Sequence, residues 1–383
     1  MQRIRCGLVG FGFIGPHHAE AISRLGFAEV VAVCSPRPEI ARLKAGRFGI
    51  ARVYERYEDL ITDPEIDVVD IVTPTRHHCP IALAAIAAGK HVIVDKPLAL
   101  TVREAQKMWE AADAARVVHA VTFNYRFHAI VQHIRALIKR GELGEIRIIC
   151  GRYLQEWLLY PTDFSWRLDP QHSGEAAMVA DAGCHWFDLV EYVSGLRVQS
   201  VLADLATLVP VRQRPLGGSR EAFSSASQGP VEDYAVTVPD YGATLLRFDN
   251  GARGTFTTSP LCAGRKNDLR LEISGSRASV EWIQERSNEL WIGRRDEPSQ
   301  LLLRDPQLLE GGESSLPGGH SEGWPDAFKN TMSAIFAFIA SGQRLQDQAA
   351  VEFPTFADGL RAAVMAEALV ASHRSGGTWT AAG

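Results

Sequence analysis

Three ionisable side chains, Lys96, Asp181 and His185, stand at positions where proton chemistry is possible. Lys96 follows a short apolar run that predicts a buried strand, and a lysine there can donate a proton or hold a substrate hydroxyl. Asp181 and His185 are four residues apart at a predicted helix start, so their side chains share one face. A histidine titrates near neutral pH and is the commonest general acid or base. These residue types therefore allow proton transfer.

Each of these residues also has a plainer interpretation. Lys96 can extend from the strand end into solvent without a chemical role. Asp181 and His185 can both ligate a metal, and His172 and Glu175 lie upstream. No further histidine-rich motif with metal spacing supports a metal site, so we predict that the chain holds none.

A glycine motif near the amino end predicts a dinucleotide site. Gly10, Gly12 and Gly15 fit G-x-G-x-x-G between a predicted strand and a predicted helix. The first glycine allows a tight turn, the second lets the backbone approach a pyrophosphate, and the third lets helix and strand pack closely. The helix amino terminus then offers unpaired N–H groups to the phosphates. Phe13 and Ile14 lie in the same turn and belong to the predicted cofactor contacts.

The end of the second predicted strand bears on which coenzyme binds. An acidic residue about 20 positions after the glycines would hold a free ribose 2′-hydroxyl. Ser35 stands there instead, and Arg37 follows within reach of a 2′-phosphate. A guanidinium binds phosphate in two places, so the pattern favours NADP over NAD, although Arg37 is equally compatible with a solvated surface position.

The predicted elements explain how these residues reach one place. Short apolar runs alternate with helical patterns up to about residue 122, which predicts a parallel sheet covered by helices on both faces. We therefore predict a Rossmann domain over residues 1–122. Asp95 and Lys96 then lie at the carboxyl edge of the sheet, where ligands bind, and Pro97 ends the strand. The predicted strands are 3–9, 30–33, 68–72, 92–94 and 117–122, with helices at 16–25, 81–88 and 102–115.

The pattern changes after a predicted helix at residues 127–139. Segments with alternating apolar and polar residues predict antiparallel strands, with Asn250-Gly251 as a hairpin turn. Leu269, Leu271 and Ile273 should face the core. Residues 123–383 are thus predicted as an α+β domain with a large, mostly antiparallel open sheet. It also contains closing helices at 327–340 and 356–372, and long irregular loops at 210–230 and 294–325, which are functional or mobile in most proteins.

Composition excludes several classes of protein. The net charge of -5 and the lack of a basic block argue against nucleic acid as a partner. Six scattered cysteines form no C-x-x-C pair, which fits a reducing cytoplasm rather than a disulfide framework. No apolar segment approaches the ~20 residues that span a bilayer, and the glycine-rich amino end is a poor signal peptide.

In combination, these motifs resemble the Gfo/Idh/MocA oxidoreductase family. The likeness rests on the glycine motif, Thr73-Pro74, Asp95-Lys96-Pro97 and the stretch VADAGCHWFDLVEYVSG, and it covers most of the chain. The usual family tripeptide is Glu-Lys-Pro, so Asp95 is a conservative departure. The resemblance implies a catalytic set of Lys96, Asp181 and His185, in which His185 exchanges the proton of a substrate hydroxyl. It also implies cofactor contacts from Thr73, Pro74, His78, Asp95, Lys96, Asn124 and Arg126.

Aromatic and hydrogen-bonding residues precede Asp181 and suggest the kind of substrate. Such a mixture suits a sugar ring, which has apolar faces and a polar rim, although aromatic residues are more often simply core. The amino-acid sequence of this segment is similar to that of the sugar dehydrogenases of the family. We predict substrate contacts from Lys96, Asp181 and His185 together with Tyr153, Gln155, Trp157, Trp166 and Arg167.

The leading hypothesis is an NAD(P)-dependent oxidoreductase that acts on a secondary hydroxyl or ketone of a sugar, sugar derivative or cyclitol. Two alternatives stay open: a glycosidase that uses NAD transiently, as some relatives are, and a nucleotide sensor without catalysis. The resemblance also implies a homodimer or homotetramer formed through the open sheet.

Overall fold

The chain forms two compact units. The computed structural model describes residues 3–216 and 229–383. The first unit contains the residues up to Asn124 together with Phe328–Ala363, and the second contains Tyr125–Ala327 together with Val364–Gly383. The assignment of residues 1–122 to a dinucleotide-binding domain and of residues 123–383 to an α+β domain stays a prediction.

A six-stranded parallel sheet forms the first unit, as predicted. Its strands are β1 (Ile4–Val9), β2 (Ala28–Cys34), β3 (Arg52–Tyr54), β4 (Val68–Ile71), β5 (His91–Val94) and β6 (His119–Val121). They lie in the order β3-β2-β1-β4-β5-β6, and every neighbouring pair is parallel. This is the Rossmann order, in which ligands bind outside the carboxyl ends of the strands where the order reverses.

Five helices accompany these strands. The sequence pattern anticipates α1, α4 and α5, but not α2, β3 or α3. The missed elements bury few side chains: α2 buries only Ala41 and Ala45, and β3 buries none, so their apolar periodicity is weak. The helices are α1 (Gly15–Ser23), α2 (Pro38–Gly46), α3 (Tyr57–Thr62), α4 (His78–Ala87) and α5 (Val102–Ala115).

The second unit is built on a large sheet, also as predicted. Nine strands lie in the order β16-β15-β14-β13-β7-β12-β11-β8-β17, and only the β7–β12 pair is parallel. β9 and β10 form a separate antiparallel pair. The strands are β7 (Ile146–Leu154), β8 (Val198–Ala206), β9 (Val211–Pro215), β10 (Val231–Ala235), β11 (Tyr241–Phe248), β12 (Arg253–Ser259), β13 (Asp268–Gly275), β14 (Ser279–Ile283), β15 (Glu289–Gly293), β16 (Gln300–Leu303) and β17 (Thr380–Ala381).

Local patterns in this sheet behave as predicted, but its central strand was not anticipated. The Asn250-Gly251 turn joins β11 to β12, with Gly251 at a φ of 89°. Leu269, Leu271 and Ile273 are buried. β7 does not alternate cleanly between buried and exposed residues, and its partners β12 and β13 lie about a hundred residues later in the chain. Its place therefore depends on long-range pairing.

Helix α8 (Ala177–Ser194) packs on this sheet and carries Asp181 and His185. The indole Nε1 of its fully buried Trp186 donates to the carbonyl of Arg270 at 3.0 Å. Gly151 on β7 leaves the space for that indole, because a Cβ at this position would collide with it. The contact fixes the helix against the sheet. The remaining helices are α6 (Ala129–Lys139), α7 (Pro170–Ser173), α9 (Trp324–Ser341) and α10 (Phe356–Arg374), and the last two contribute residues to both units.

The two predicted irregular loops contain more structure than expected. Residues 210–230 include β9 and part of the turn before β10, while residues 217–228 lie outside the described part of the chain. Residues 294–325 include β16 and are held by the buried pair Arg304 and Glu322, 3.4 Å apart. Arg304 donates to the carbonyls of Leu316 and Pro317, and Glu322 accepts from the amide of Ser315. This loop is thus organised around one ion pair.

A second buried ion pair shapes the loop between β7 and α7. The guanidinium of Arg212, with no exposed surface, donates to the carbonyls of Leu158, Tyr160 and Asp163 at 2.9, 3.0 and 3.2 Å. Its other nitrogen lies 3.5 Å from the buried carboxylate of Asp240. Because carbonyls in an irregular loop otherwise need water, one arginine here replaces several solvent contacts. Arg212 therefore pins the segment that leads to Trp166 and Arg167.

Removing Arg212 should loosen that segment far more than removing its exposed neighbour. We predict that Arg212→Met lowers the free energy of unfolding of the second unit by about 3–5 kcal/mol, because Asp240 and the three carbonyls lose a buried cation. Arg214→Met, on the same strand, removes an exposed pair with Glu232 and should cost less than about 1 kcal/mol. Urea unfolding gives the energies, and hydrogen exchange over residues 158–163 locates the change. Equal losses for both variants would contradict the pinning role.

Candidate active site

The predicted cofactor residues of the first unit follow different strands of one parallel sheet. Because the carboxyl ends of parallel strands lie at one edge, these residues are brought to the same side of the unit. In the structure each of these residues follows the end of a strand. Their contact with a coenzyme stays a prediction. Gly10 follows β1, Ser35 follows β2, Thr73 and Pro74 follow β4, Asp95 and Lys96 follow β5, and Asn124 follows β6.

The glycine turn has the shape that a pyrophosphate requires. Gly10 has a φ of 99°, and a Cβ there would lie 2.7 Å from the carbonyl oxygen of Val72. A Cβ on Gly15 would lie 2.9 Å from the carbonyl of Gly10, whereas Gly12 faces open space. The turn is therefore closed on the protein side and open at Gly12, where a diphosphate would approach the backbone. Lys44 donates to the carbonyl of Gly12 at 3.4 Å. No sequence motif predicted this contact.

Two buried polar atoms at this edge support a polar ligand. The Thr73 hydroxyl and the Asn124 amide nitrogen are buried and have no hydrogen-bond partner among the described residues. Buried polar groups are normally satisfied, so a bound group is the natural source of their partners. The residues present thus fit a dinucleotide.

Ser35 and Arg37 follow the end of β2, as the sequence predicts. The Ser35 hydroxyl accepts from the backbone amide of Arg37 at 3.2 Å, and Arg37 is exposed before α2. Phe13, in the glycine turn, is also exposed, while Ile14 packs against a cluster containing Phe11. No described feature here selects between a 2′-hydroxyl and a 2′-phosphate.

His78 connects the loops that follow β4 and β5. Its Nε2 lies 2.8 Å from the carbonyl of Thr73, and its Nδ1 lies 3.0 Å from the carbonyl of Pro97. Burial lowers the pKa of His78. The neutral imidazole can donate to only one of these carbonyls, so it lies between the two family motifs and bonds to one of them. Its predicted contact with the cofactor stays a prediction.

Asp181 and His185 lie on α8, as predicted. The prediction that the helix begins at Asp181 is wrong. The helix begins at Ala177, so the apolar residues before Asp181 add one turn that the sequence interpretation omitted. The effect of the helix terminus on Asp181 is correspondingly weaker. Instead, the guanidinium of Arg167 lies 3.3 Å from the Asp181 carboxylate.

A closed set of hydrogen bonds surrounds His185. The Tyr153 hydroxyl donates to Asn267 Oδ1 at 2.6 Å, and Asn267 Nδ2 donates to the Tyr125 hydroxyl at 3.0 Å. The two hydroxyls are 2.9 Å apart, and burial holds the pKa of Tyr153 well above its usual range. The Tyr125 ring meets the His185 imidazole edge-on, with centroids 4.7 Å apart. The hydrogen-bonded Tyr125 ring therefore packs against one side of the imidazole.

The predicted sugar-contact residues continue this set within the second unit. Gln155 donates to Asn267 Oδ1 at 3.3 Å and accepts from Trp157 Nε1 at 3.1 Å. Arg167 lies over the ring of Trp166, 4.4 Å from its centroid. The structure therefore brings together the predicted residues Tyr153, Gln155, Trp157, Trp166, Arg167, Asp181 and His185.

Tyr125 and Asn267 belong to this set but were not predicted. Tyr125 lies between the predicted residues Asn124 and Arg126, and Asn267 lies just before β13. Their spacing from Tyr153 along the chain carries no periodic signal. Only the pairing of β13 with β7 brings Asn267 beside Tyr153.

Arg126 makes a strong contact within the second unit. Its Nε donates to the Asp188 carboxylate at 2.7 Å, and its second nitrogen completes a bidentate pair. The guanidinium also lies over the Tyr192 ring, 4.6 Å from its centroid. This pair anchors the start of the second unit to α8, and the predicted contact of Arg126 with nicotinamide or substrate stays a prediction.

The residues considered for a metal site have other partners. His172 Nδ1 lies 3.0 Å from the Asp169 carboxylate, and Glu175 lies 3.0 Å from Arg374. Within residues 3–216 and 229–383, no group of three or more His, Cys, Asp or Glu side chains is arranged to hold a metal ion. The same residues include no helix with the length and apolar character needed to cross a bilayer.

Known proteins share both units of this chain. Residues 4–123 match the family model described as "Oxidoreductase family, NAD-binding Rossmann fold", and residues 131–281 match the GFO/IDH/MocA C-terminal domain. Levoglucosan dehydrogenase from Pseudarthrobacter phenanthrenivorans is 32% identical over 386 residues, an alignment that covers 97% of this chain and 96% of the relative.

Solved structures agree with this. A levoglucosan dehydrogenase in complex with NADH and L-sorbose has a TM-score of 0.88 and 31% identity, with 100% of both chains covered. An inositol dehydrogenase homolog complexed with NAD+ from Azotobacter vinelandii has a TM-score of 0.85 and 27% identity, covering 99% of this chain and 97% of that one. Likeness of this extent and identity shows that the chain belongs to the Gfo/Idh/MocA family of oxidoreductases.

Proposed function

We propose that this protein is an NAD-dependent dehydrogenase or reductase that acts on a secondary hydroxyl or ketone of a sugar, sugar derivative or cyclitol. The observation that carries the proposal is the set beside His185, in which a general acid or base contacts two tyrosine rings whose hydroxyls join side-chain amide donors. A sugar ring offers several hydroxyls to such donors and an apolar face to the indoles. The relatives named for levoglucosan and inositol point to the same substrate class.

In the proposal, the side chains of this protein bind and orient the substrate and move its proton. A nicotinamide coenzyme, held by Gly10, Gly12 and Gly15, supplies the hydride acceptor or donor. Lys96 and His185 contact the reacting hydroxyl, and His185 takes up or returns its proton. Asp181, paired with Arg167, lies one helix turn before His185 on the same face of α8.

The coenzyme in the proposal is NAD rather than NADP. Ser35 and Arg37 favour NADP in the sequence, but the solved relatives contain NADH and NAD+, and the matching family model is described as NAD-binding. No comparison supports the NADP preference. An exposed Arg37 that is simply solvated accounts for the same residues.

The protein is also proposed to form a homodimer or homotetramer through the open sheet. Ile148, Leu245 and Trp291 share the sheet face on which they are exposed, as the strand registers require. Exposed apolar residues on one face are suited to burial against a second copy.

Turnover with sugars tests the central proposal. Levoglucosan, myo-inositol and a panel of polyols, each with NAD+, should include a substrate that produces reduced nicotinamide. Lys96→Ala and His185→Ala should lower kcat by about 10²–10⁴-fold, because each removes a group that handles the reacting proton. Binding of NADH, followed by nicotinamide fluorescence, should change by less than about threefold.

Matched controls separate chemistry from folding. Lys107→Ala and His172→Ala remove a lysine and a histidine outside the proposed site and should keep near-normal turnover. Near-normal turnover in Lys96→Ala or His185→Ala would refute that residue's role. Release of free sugar from glycosides without net reduced nicotinamide would favour the glycosidase, and tight coenzyme binding without any turnover would favour the sensor.

Titrating both coenzymes tests the preference for NAD. NADH should bind at least about tenfold more tightly than NADPH, a difference of roughly 1.4 kcal/mol. Arg37→Ala should leave NADH affinity nearly unchanged. Tighter binding of NADPH that disappears in Arg37→Ala would restore the NADP interpretation instead.

Light scattering over a range of concentrations tests the assembly. The measured mass should be two or four times the 42.0 kDa of the chain. Trp291→Glu should reduce that mass by placing charge on the sheet face. A stable monomer at all concentrations would contradict the proposed assembly.

A further inference from the structure

Three ionisable side chains lie buried together in the first unit, beneath the strand end that carries Lys96. His18 and Asp70 have no exposed surface, and the Asp95 side chain is 15% exposed. His18 Nδ1 lies 2.7 Å from the Asp70 carboxylate, and His18 Nε2 lies 3.9 Å from Asp95 Oδ1. The roles proposed above use neither His18 nor Asp70.

Each member of this cluster comes from a different element. His18 is on α1, directly after the glycine turn, Asp70 is on β4, and Asp95 follows β5. Thr122, after β6, donates to Asp95 Oδ1 at 2.7 Å. The Phe328 ring packs against the His18 imidazole with centroids 4.7 Å apart. The cluster therefore connects the helix of the glycine turn to the turn that holds Lys96.

Charge determines how the cluster holds together. Burial alone lowers the pKa of His18, but the nearby Asp70 and Asp95 carboxylates outweigh it and raise the pKa to about 9. Burial likewise opposes the charge on Asp95, yet the charge of His18, aided by Lys96 and by the hydrogen bond from Thr122, brings its pKa below the usual range. Burial raises the pKa of Asp70, although the charge and hydrogen bond of His18 oppose that shift. At neutral pH an imidazolium therefore lies between the carboxyl groups of Asp70 and Asp95.

Other ionisable groups near the cluster carry no competing charge at neutral pH. Burial raises the pKa of the Cys6 thiol and lowers the pKa values of His17 and His78. The thiol and both imidazoles are thus neutral. Asp70 and Asp95 face His18⁺, and Lys96 is the second cation that acts on Asp95.

We propose that His18 and Asp70 are positioning residues for Lys96, which they hold in place through the Asp95 carboxylate. Asp70 fixes the imidazolium, the imidazolium holds Asp95, and Asp95 sets the path of the backbone from which the next side chain, Lys96, projects. The arrangement suits the short Asp95 that replaces the usual glutamate of the family tripeptide. This inference rests on the proposed catalytic role of Lys96.

Two substitutions of His18 separate its contacts. An asparagine amide reaches about as far as Nδ1, so His18→Asn keeps a donor for Asp70 and removes the group that faces Asp95. A glutamine reaches about as far as Nε2, so His18→Gln keeps a donor toward Asp95. We expect His18→Asn to lower kcat by about 100-fold, the scale that follows from misplacing a reacting group by about 1 Å. His18→Gln should recover part of that loss.

A double-mutant cycle tests whether the effect passes through Asp95. Asp95→Asn should lower kcat to a similar extent, and His18→Asn combined with Asp95→Asn should be no slower than the slower single variant. Sugar KM and NADH affinity should change by less than about threefold in His18→Asn. Multiplicative losses in kcat, or a loss of NADH binding in step with kcat, would overturn the positioning role.

Histidine NMR provides a readout that does not depend on activity. In the wild-type protein, the His18 resonance, assigned by its absence in His18→Asn, should titrate near pH 9. It should titrate at lower pH in Asp95→Asn. Titration near 6.5 in the wild type would overturn the cluster itself. Wild-type protein without dehydrogenase turnover would refute the proposed function, whereas normal turnover in His18→Asn would refute only the positioning role.

Discussion

The buried ion pair between His18 and Asp70 is the interaction on which the ligand edge of the first unit depends. A charge removed from water is tolerated only when it is paired and hydrogen-bonded. This pair lies between α1 and β4 and extends to Asp95 after β5. It therefore couples the glycine turn, which fits a dinucleotide, to the turn that carries the proposed catalytic lysine.

Buried ion pairs also organise the second unit. Arg126 and Asp188 anchor α8, Arg212 and Asp240 pin the loop after β7, and Arg304 and Glu322 close the loop before α9. Each pair is buried and uses an arginine fork, which satisfies several acceptors at once. Irregular segments that would otherwise be mobile thus present Trp157, Trp166 and Arg167 beside Asp181.

The sequence alone predicts local features of the fold, but it does not predict contacts between residues that are far apart in the chain. The glycine turn and the alternation of β13 follow from residue type and spacing, so they could be predicted. By contrast, Asn267 reaches Tyr153 only through the pairing of two strands more than a hundred residues apart. The sequence gives no sign that His18 is paired, because its carboxylate partner lies 52 residues away. The burial of Arg126 and Arg212 could not be predicted either, since the sequence around an arginine gives no sign that its side chain will be buried.

The claim that Lys96 and His185 act on one hydroxyl is the centre of this account. A crystal structure of the protein with NADH and a turned-over sugar tests it most directly. The account predicts that Lys96 Nζ and an imidazole nitrogen of His185 both lie within about 3.2 Å of the same substrate oxygen. A sugar bound with its reacting hydroxyl in contact with neither side chain would contradict it.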